Sequence, residues 1–138
     1  MTLLRLIFLS GLATVLNLSA DAAETSKITP KDADQLVAEG RAVLVDVREP
    51  DEWADTGVAA PAVLLSMSDF NGAQKDWRPF LEKSRDKQIL VYCRSGRRSG
   101  LVVAALAAKG FRAANVGGLK DWIAAGLPLR KADLPPGP

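Results

Sequence analysis

The sequence predicts a single α/β domain built on a mainly parallel sheet, and three observations lead there. The chain has 138 residues, room for one domain and no more. Continuous apolar runs of strand length, rich in β-branched residues, stand at 42–47 and 88–92, as in parallel strands buried on both faces. Segments with helical start and stop signals alternate with these runs, and that alternation argues for parallel strands joined by right-handed helical crossovers.

Taken in order, residues 1–22 read as an export signal. Arg5 supplies a basic start, an apolar stretch runs from Leu6 to Leu16, and Ala20-Asp21-Ala22 has the form of a cleavage site. The apolar stretch is short for a membrane span, which leaves an uncleaved anchor or a buried N-terminal helix as the lesser readings. Residues 23–27 form a polar linker, 28–130 the domain and 131–138 a tail that frays at Pro135–Pro138. The first helix starts at Thr29-Pro30-Lys31-Asp32, with Thr29 as cap, Pro30 in the first turn and Asp32 at the positive end, and it stops at Gly40.

The strand at 42–47 follows, and then a turn or short helix from Glu49 that turns Trp53 inward. Ala62–Leu65 reads as a short strand. Ser68–Lys83 is mostly helical with Trp77, Phe80 and Leu81 on one face, although Gly72 and Pro79 interrupt its pattern. The clearest strand, Gln88–Tyr92, runs into Cys93, and the loop Arg94–Ser99 leads to a helix from Gly100 to Lys109. Ala113–Val116 is a short strand and Gly117-Gly118 a turn. A last helix, Leu119–Ala125, faces Leu119, Trp122 and Ile123 inward and is ended by Gly126 and Pro128.

Composition narrows the chemistry. At 48% hydrophobic and 25% charged, the chain can bury one core. Its net charge of +2 is unchanged by removal of the first 22 residues, which hold one cation, Arg5, and one anion, Asp21. That balance, without a long basic run, argues against nucleic acid as a partner. There is one cysteine and no histidine. A Ser-His or Cys-His pair, a Cys/His zinc site and an internal disulfide are therefore all excluded. An unpaired thiol in an exported protein calls for a reason.

Cys93 supplies one. In open α/β sheets ligands bind at the carboxyl ends of the strands, where Cys93 stands. Gly96 lets the following backbone curl, so that successive N–H groups form an anion-binding nest. The next helix points its positive end at the same place, and Arg94, Arg97 and Arg98 add three cations. All of this favours a thiolate, which needs no general base. Buried free cysteines are common, so a structural thiol is the plainer reading of Cys93 alone, and solvated helix-start charges are the plainer reading of the arginines. The combination favours a reactive thiol.

The segment Cys93-Arg94-Ser95-Gly96-Arg97-Arg98-Ser99 resembles the active-site loop of single-domain rhodaneses. Val45-Asp46-Val47-Arg48-Glu49 resembles an upstream signature of that family, and Val116–Trp122, with Gly117-Gly118, a downstream one. With the signal, the chain is similar to exported, phage-shock-type rhodaneses. The resemblance implies a three-layer sandwich with helices on both faces of the sheet. It implies thiosulfate sulfurtransferase activity, with sulfur carried as a Cys93 persulfide and handed to cyanide or a thiol. Arg94, Ser95, Gly96, Arg97, Arg98 and Ser99 would bind the small anionic donor, with Ser99 bracing the loop. Asp46 and Arg48 would support it from behind. No cofactor or metal is called for. The expected protein is a periplasmic or otherwise exported monomer, free of nucleic acid and of the membrane once the signal is gone.

One departure stands out, since Gly57 occupies a position where the family has histidine. Two rival readings remain. A non-catalytic module for sulfur storage or partner binding is favoured mildly by Gly57 and opposed by the intact loop. A phosphatase of the C-x5-R type would need arginine where Ser99 stands, because bidentate phosphate binding has fixed geometry.

Overall fold

The computed structural model describes residues 26–133. The expected signal at 1–22 and the last part of the expected tail lie outside the described residues. The order of elements is α1 (Pro30–Ala38), β1 (Ala42–Asp46), α2 (Pro50–Thr56), β2 (Val58–Ala59), β3 (Val63–Leu64), α3 (Met67–Asn71), α4 (Trp77–Lys83), β4 (Gln88–Cys93), α5 (Arg97–Ala108), β5 (Ala113–Gly118), α6 (Leu119–Ala124) and β6 (Leu129–Arg130).

Four strands form a parallel sheet in the order β3-β1-β4-β5. The alternation of side chains along β4 splits the core into two layers. Ile89, Val91 and Cys93 join Phe70, Trp77, Val102 and Leu106 from α3, α4 and α5. Leu90 and Tyr92 join Ala33, Leu119 and Trp122 from α1 and α6. Both faces of the sheet are thus covered, as the α/β reading requires.

Local chemistry explains the helix starts. Thr29 Oγ1 accepts the Asp32 N–H at 3.2 Å and Pro30 opens α1. Glu49 and Glu52 form a capping box on α2, which buries Trp53.

Several expectations are corrected. The stretch 68–83 is two helices, because Gly72 closes α3 and the Asp69 carboxylate then accepts the N–H groups of Lys75, Asp76 and Trp77 before α4 begins. Ile123 is 51% exposed, since α6 is short and its inward face is filled by Leu119 and Trp122. Gly117 and Gly118 belong to β5, paired with Tyr92 and Cys93 after an irregularity at Val91/Tyr92. The described end of the expected linker is no linker: Lys27 bridges to Asn115, whose N–H donates to the Ser26 carbonyl at 2.7 Å. The antiparallel pair β2–β6 was not foreseen.

Candidate active site

Cys93 ends β4 and is fully buried. The turn beyond it is shorter than the sequence suggests, because α5 starts at Arg97 rather than Gly100. Gly96 caps that helix with φ +95°, a left-handed conformation that glycine adopts freely. Arg94 and Ser95 therefore form the exposed turn, while Arg97, Arg98 and Ser99 stand in the first turn of the helix.

The tight turn brings two donors onto the sulfur. The Gly96 N–H reaches Cys93 Sγ at 3.1 Å and the Ser99 hydroxyl at 3.3 Å. Burial pushes the Cys93 thiol up, but the Ser99 hydroxyl and the amides of Ser99, Gly96 and Ser95 outweigh it and hold the group below a cysteine's ordinary value. The 12-residue helix α5 adds its positive end at the same point.

Gly118 sits opposite Cys93 in the sheet. A side chain there would collide with the Arg94 carbonyl, so a glycine is required for the turn to pack against β5. Gly57 has a similar cause. Its φ is +76°, and a Cβ would meet the Arg130 carbonyl at 2.8 Å, across the β2–β6 pair. The histidine expected from the family pattern does not fit this backbone.

The arginines divide. Arg98 donates from both terminal nitrogens to Glu52 of α2, at 2.7 Å each, so its charge is balanced. Arg97 is exposed and forms no ion pair with a described residue. Arg94 joins Arg48, Glu52, Lys120, Leu119 and Ile123 around a cleft of about 510 Å³ beside the turn. Asp46 and Arg48 form a buried pair at 2.8 Å. Arg48 also donates to Thr56 Oγ1 and the Gly57 carbonyl, fixing the end of α2 behind the site.

A family model for the rhodanese-like domain matches residues 29–125. The chain belongs to the rhodanese-like domain family. It is 34% identical over 111 residues to an uncharacterized protein of Synechocystis, slr1261, covering 79% of this chain and only 58% of that protein. It is 36% identical over 90 residues to the sulfurtransferase-named YtwF of Bacillus subtilis, covering 64% of this chain and 81% of that one. A crystal structure of a rhodanese-related protein from Thermoplasma volcanium superposes with a TM-score of 0.64 at 27% identity, covering 78% of this chain and 99% of the other.

Within this rhodanese-like domain two residues escaped the sequence reading. Glu52 had no assigned role within the turn or short helix from Glu49, and its grip on Arg98 depends on packing between α2 and α5. Asn115 lay in a strand otherwise made of alanine and valine. An amide there was the signal, since asparagine is depleted in strands.

Proposed function

We propose that the protein is a thiosulfate sulfurtransferase that carries sulfur as a persulfide on Cys93. The observation that carries this reading is the sulfur itself, held by the Gly96 amide and the Ser99 hydroxyl in a chain without histidine. A nucleophile whose thiolate form is favoured by fixed donors has less need of a partner base. The thiolate attacks the sulfane sulfur of thiosulfate, a new S–S bond forms, and sulfite leaves with the electron pair of the broken bond. An acceptor thiolate or cyanide then attacks the outer sulfur, and Cys93 departs as thiolate.

Arg94 and Arg97 draw in the dianionic donor, whereas Arg98 is already balanced by Glu52. The phosphatase reading is disfavoured because the hydroxyl of Ser99, not a guanidinium, occupies the position six residues after the nucleophile. The same reading puts the protein outside the cytoplasm, on the strength of the leader-like pattern at 1–22.

The test is a mass spectrum after thiosulfate treatment. One added sulfur atom, removed by cyanide, is expected for the native chain, with no adduct for a folded Cys93→Ser variant. Phosphate-ester hydrolysis with no sulfur adduct would refute the reading.

A further inference from the structure

Asn115 lies in β5, and its side chain ties together three segments around Cys93. Its Nδ2 donates to the Gly96 carbonyl at 2.8 Å, and its Oδ1 accepts the Gly117 N–H at 3.0 Å. These two partners fix which end of the amide is which, because a carbonyl can only accept and an N–H can only donate. Oδ1 also lies 2.7 Å from Ser99 Oγ, so Ser99 must be the donor in that contact. Ser99 Oγ is at the same time 3.3 Å from Cys93 Sγ. A hydroxyl has one proton, and here two acceptors compete for it.

We propose that Asn115 is a positioning residue that acts through Ser99, as the resting acceptor for a hydroxyl that swings to Cys93 Sγ whenever that sulfur carries negative charge. When Cys93 is a neutral thiol, its S–H can donate to Ser99 Oγ while Ser99 donates to Asn115. When Cys93 is a thiolate, the hydroxyl turns to the sulfur, and Asn115 keeps its Gly117 N–H. The persulfide cycle, on which the functional part of this inference rests, uses the toggle twice. On sulfur uptake the charge moves to the outer sulfur, Sγ becomes neutral and the hydroxyl returns to Asn115. On sulfur release Sγ regains the charge as leaving group, and the hydroxyl comes back to stabilise it.

Among the described residues no charged side chain hydrogen-bonds to Cys93 Sγ, Ser99 Oγ or the Asn115 amide, although the Arg98 guanidinium feels the charge on Cys93 in every variant. Arg98 of α5 is held by Glu52 of α2, Asp46 and Arg48 are paired at the end of β1, and Asp121 of α6 accepts the Gly118 N–H at 2.8 Å. Arg94 and Arg97 are exposed.

The experiment is the rate of Cys93 alkylation against pH, which reads thiolate formation whether or not the protein transfers sulfur. A failed toggle is thereby distinguishable from a failed sulfurtransferase. Ser99→Ala should raise the midpoint by about one unit, since it removes a bond to a charged acceptor. Asn115→Leu should lower the midpoint by roughly half a unit, because the competing neutral bond is gone. In a Ser99→Ala background, Asn115→Leu should have no effect. Asn115→Asp, which keeps shape and acceptor, should raise the midpoint, and less so once Ser99 is alanine. A rise or no change with Asn115→Leu would overturn the proposal, because a residue that merely braces the loop would weaken the donors when lost. If that variant does not fold, an equal rise with Asn115→Asp in both backgrounds would overturn it instead.

Discussion

Arg48 and Arg98 each grip a carboxylate with two nitrogens, but their settings differ. Arg48 and Asp46 are two residues apart, and their side chains are 2% and 0% exposed. Every remaining polar atom of that pair has a use, on Thr56, Gly57 or the Arg48 N–H. Arg98 and Glu52 are 46 residues apart and stand 30% and 27% exposed, bridging α5 to α2 near the site. The sealed pair is part of the frame, and a charge removed from it leaves its partner stranded in the interior. The open pair contributes little to the frame, and what it decides is that one of three arginines next to Cys93 is already engaged by a carboxylate.

Breaking the sealed pair should give the largest effect. Arg48→Ala leaves Asp46 buried without its counter-ion, which typically costs about 3–5 kcal/mol. Urea unfolding of the variant should show that loss. A change below about 1 kcal/mol would mean that Asp46 is rescued by other donors and that the two pairs are alike after all.

Breaking the open pair should cost less. Arg98→Ala is expected to lower stability by less than about 1 kcal/mol at neutral pH, because water screens the pair. Its pH dependence sharpens the contrast. The hydrogen bonds from Arg98 hold the Glu52 carboxyl down to about 2 against an ordinary 4.5, with burial opposing. A depressed carboxyl stabilises the fold above its unfolded value, and that contribution drains away as pH falls from about 4.5 through about 2. The stability gap between the native chain and Arg98→Ala should therefore shrink across that window. A gap that stays constant would show that Glu52 is not held by Arg98.

The smallest effect on stability belongs to Arg97, which faces solvent. Arg97→Ala should stay within about 0.5 kcal/mol of the native chain. It should nonetheless slow the reaction with thiosulfate more than Arg98→Ala does, and the deficit should fall with added salt as steering is screened. Equal losses for the two variants would mean that the Glu52 pairing leaves Arg98 available to the donor.

Much of this molecule was legible along the chain. Thr29 and Pro30 announced α1, the run at 88–92 announced β4, and the absence of histidine left Cys93 as a candidate nucleophile without a base. Each of these signals depends on a residue count or on neighbours within a few positions. Periodicity and caps act over one or two turns, so a sequence displays them directly.

What the chain concealed was decided by packing. Ser99 and Asn115 are 16 positions apart and meet only because β4 and β5 pair and α5 folds back over them. Arg98 looked like an anion ligand until α2 brought Glu52 to it. Gly57 looked like a missing histidine until the Arg130 carbonyl, 73 positions on, proved to fill the space a side chain would need. The sequence by itself announced the longer elements and singled out Cys93 as the candidate nucleophile. The tertiary structure decided which partner each polar group keeps, because one proton or one guanidinium serves only what the fold brings within hydrogen-bond reach.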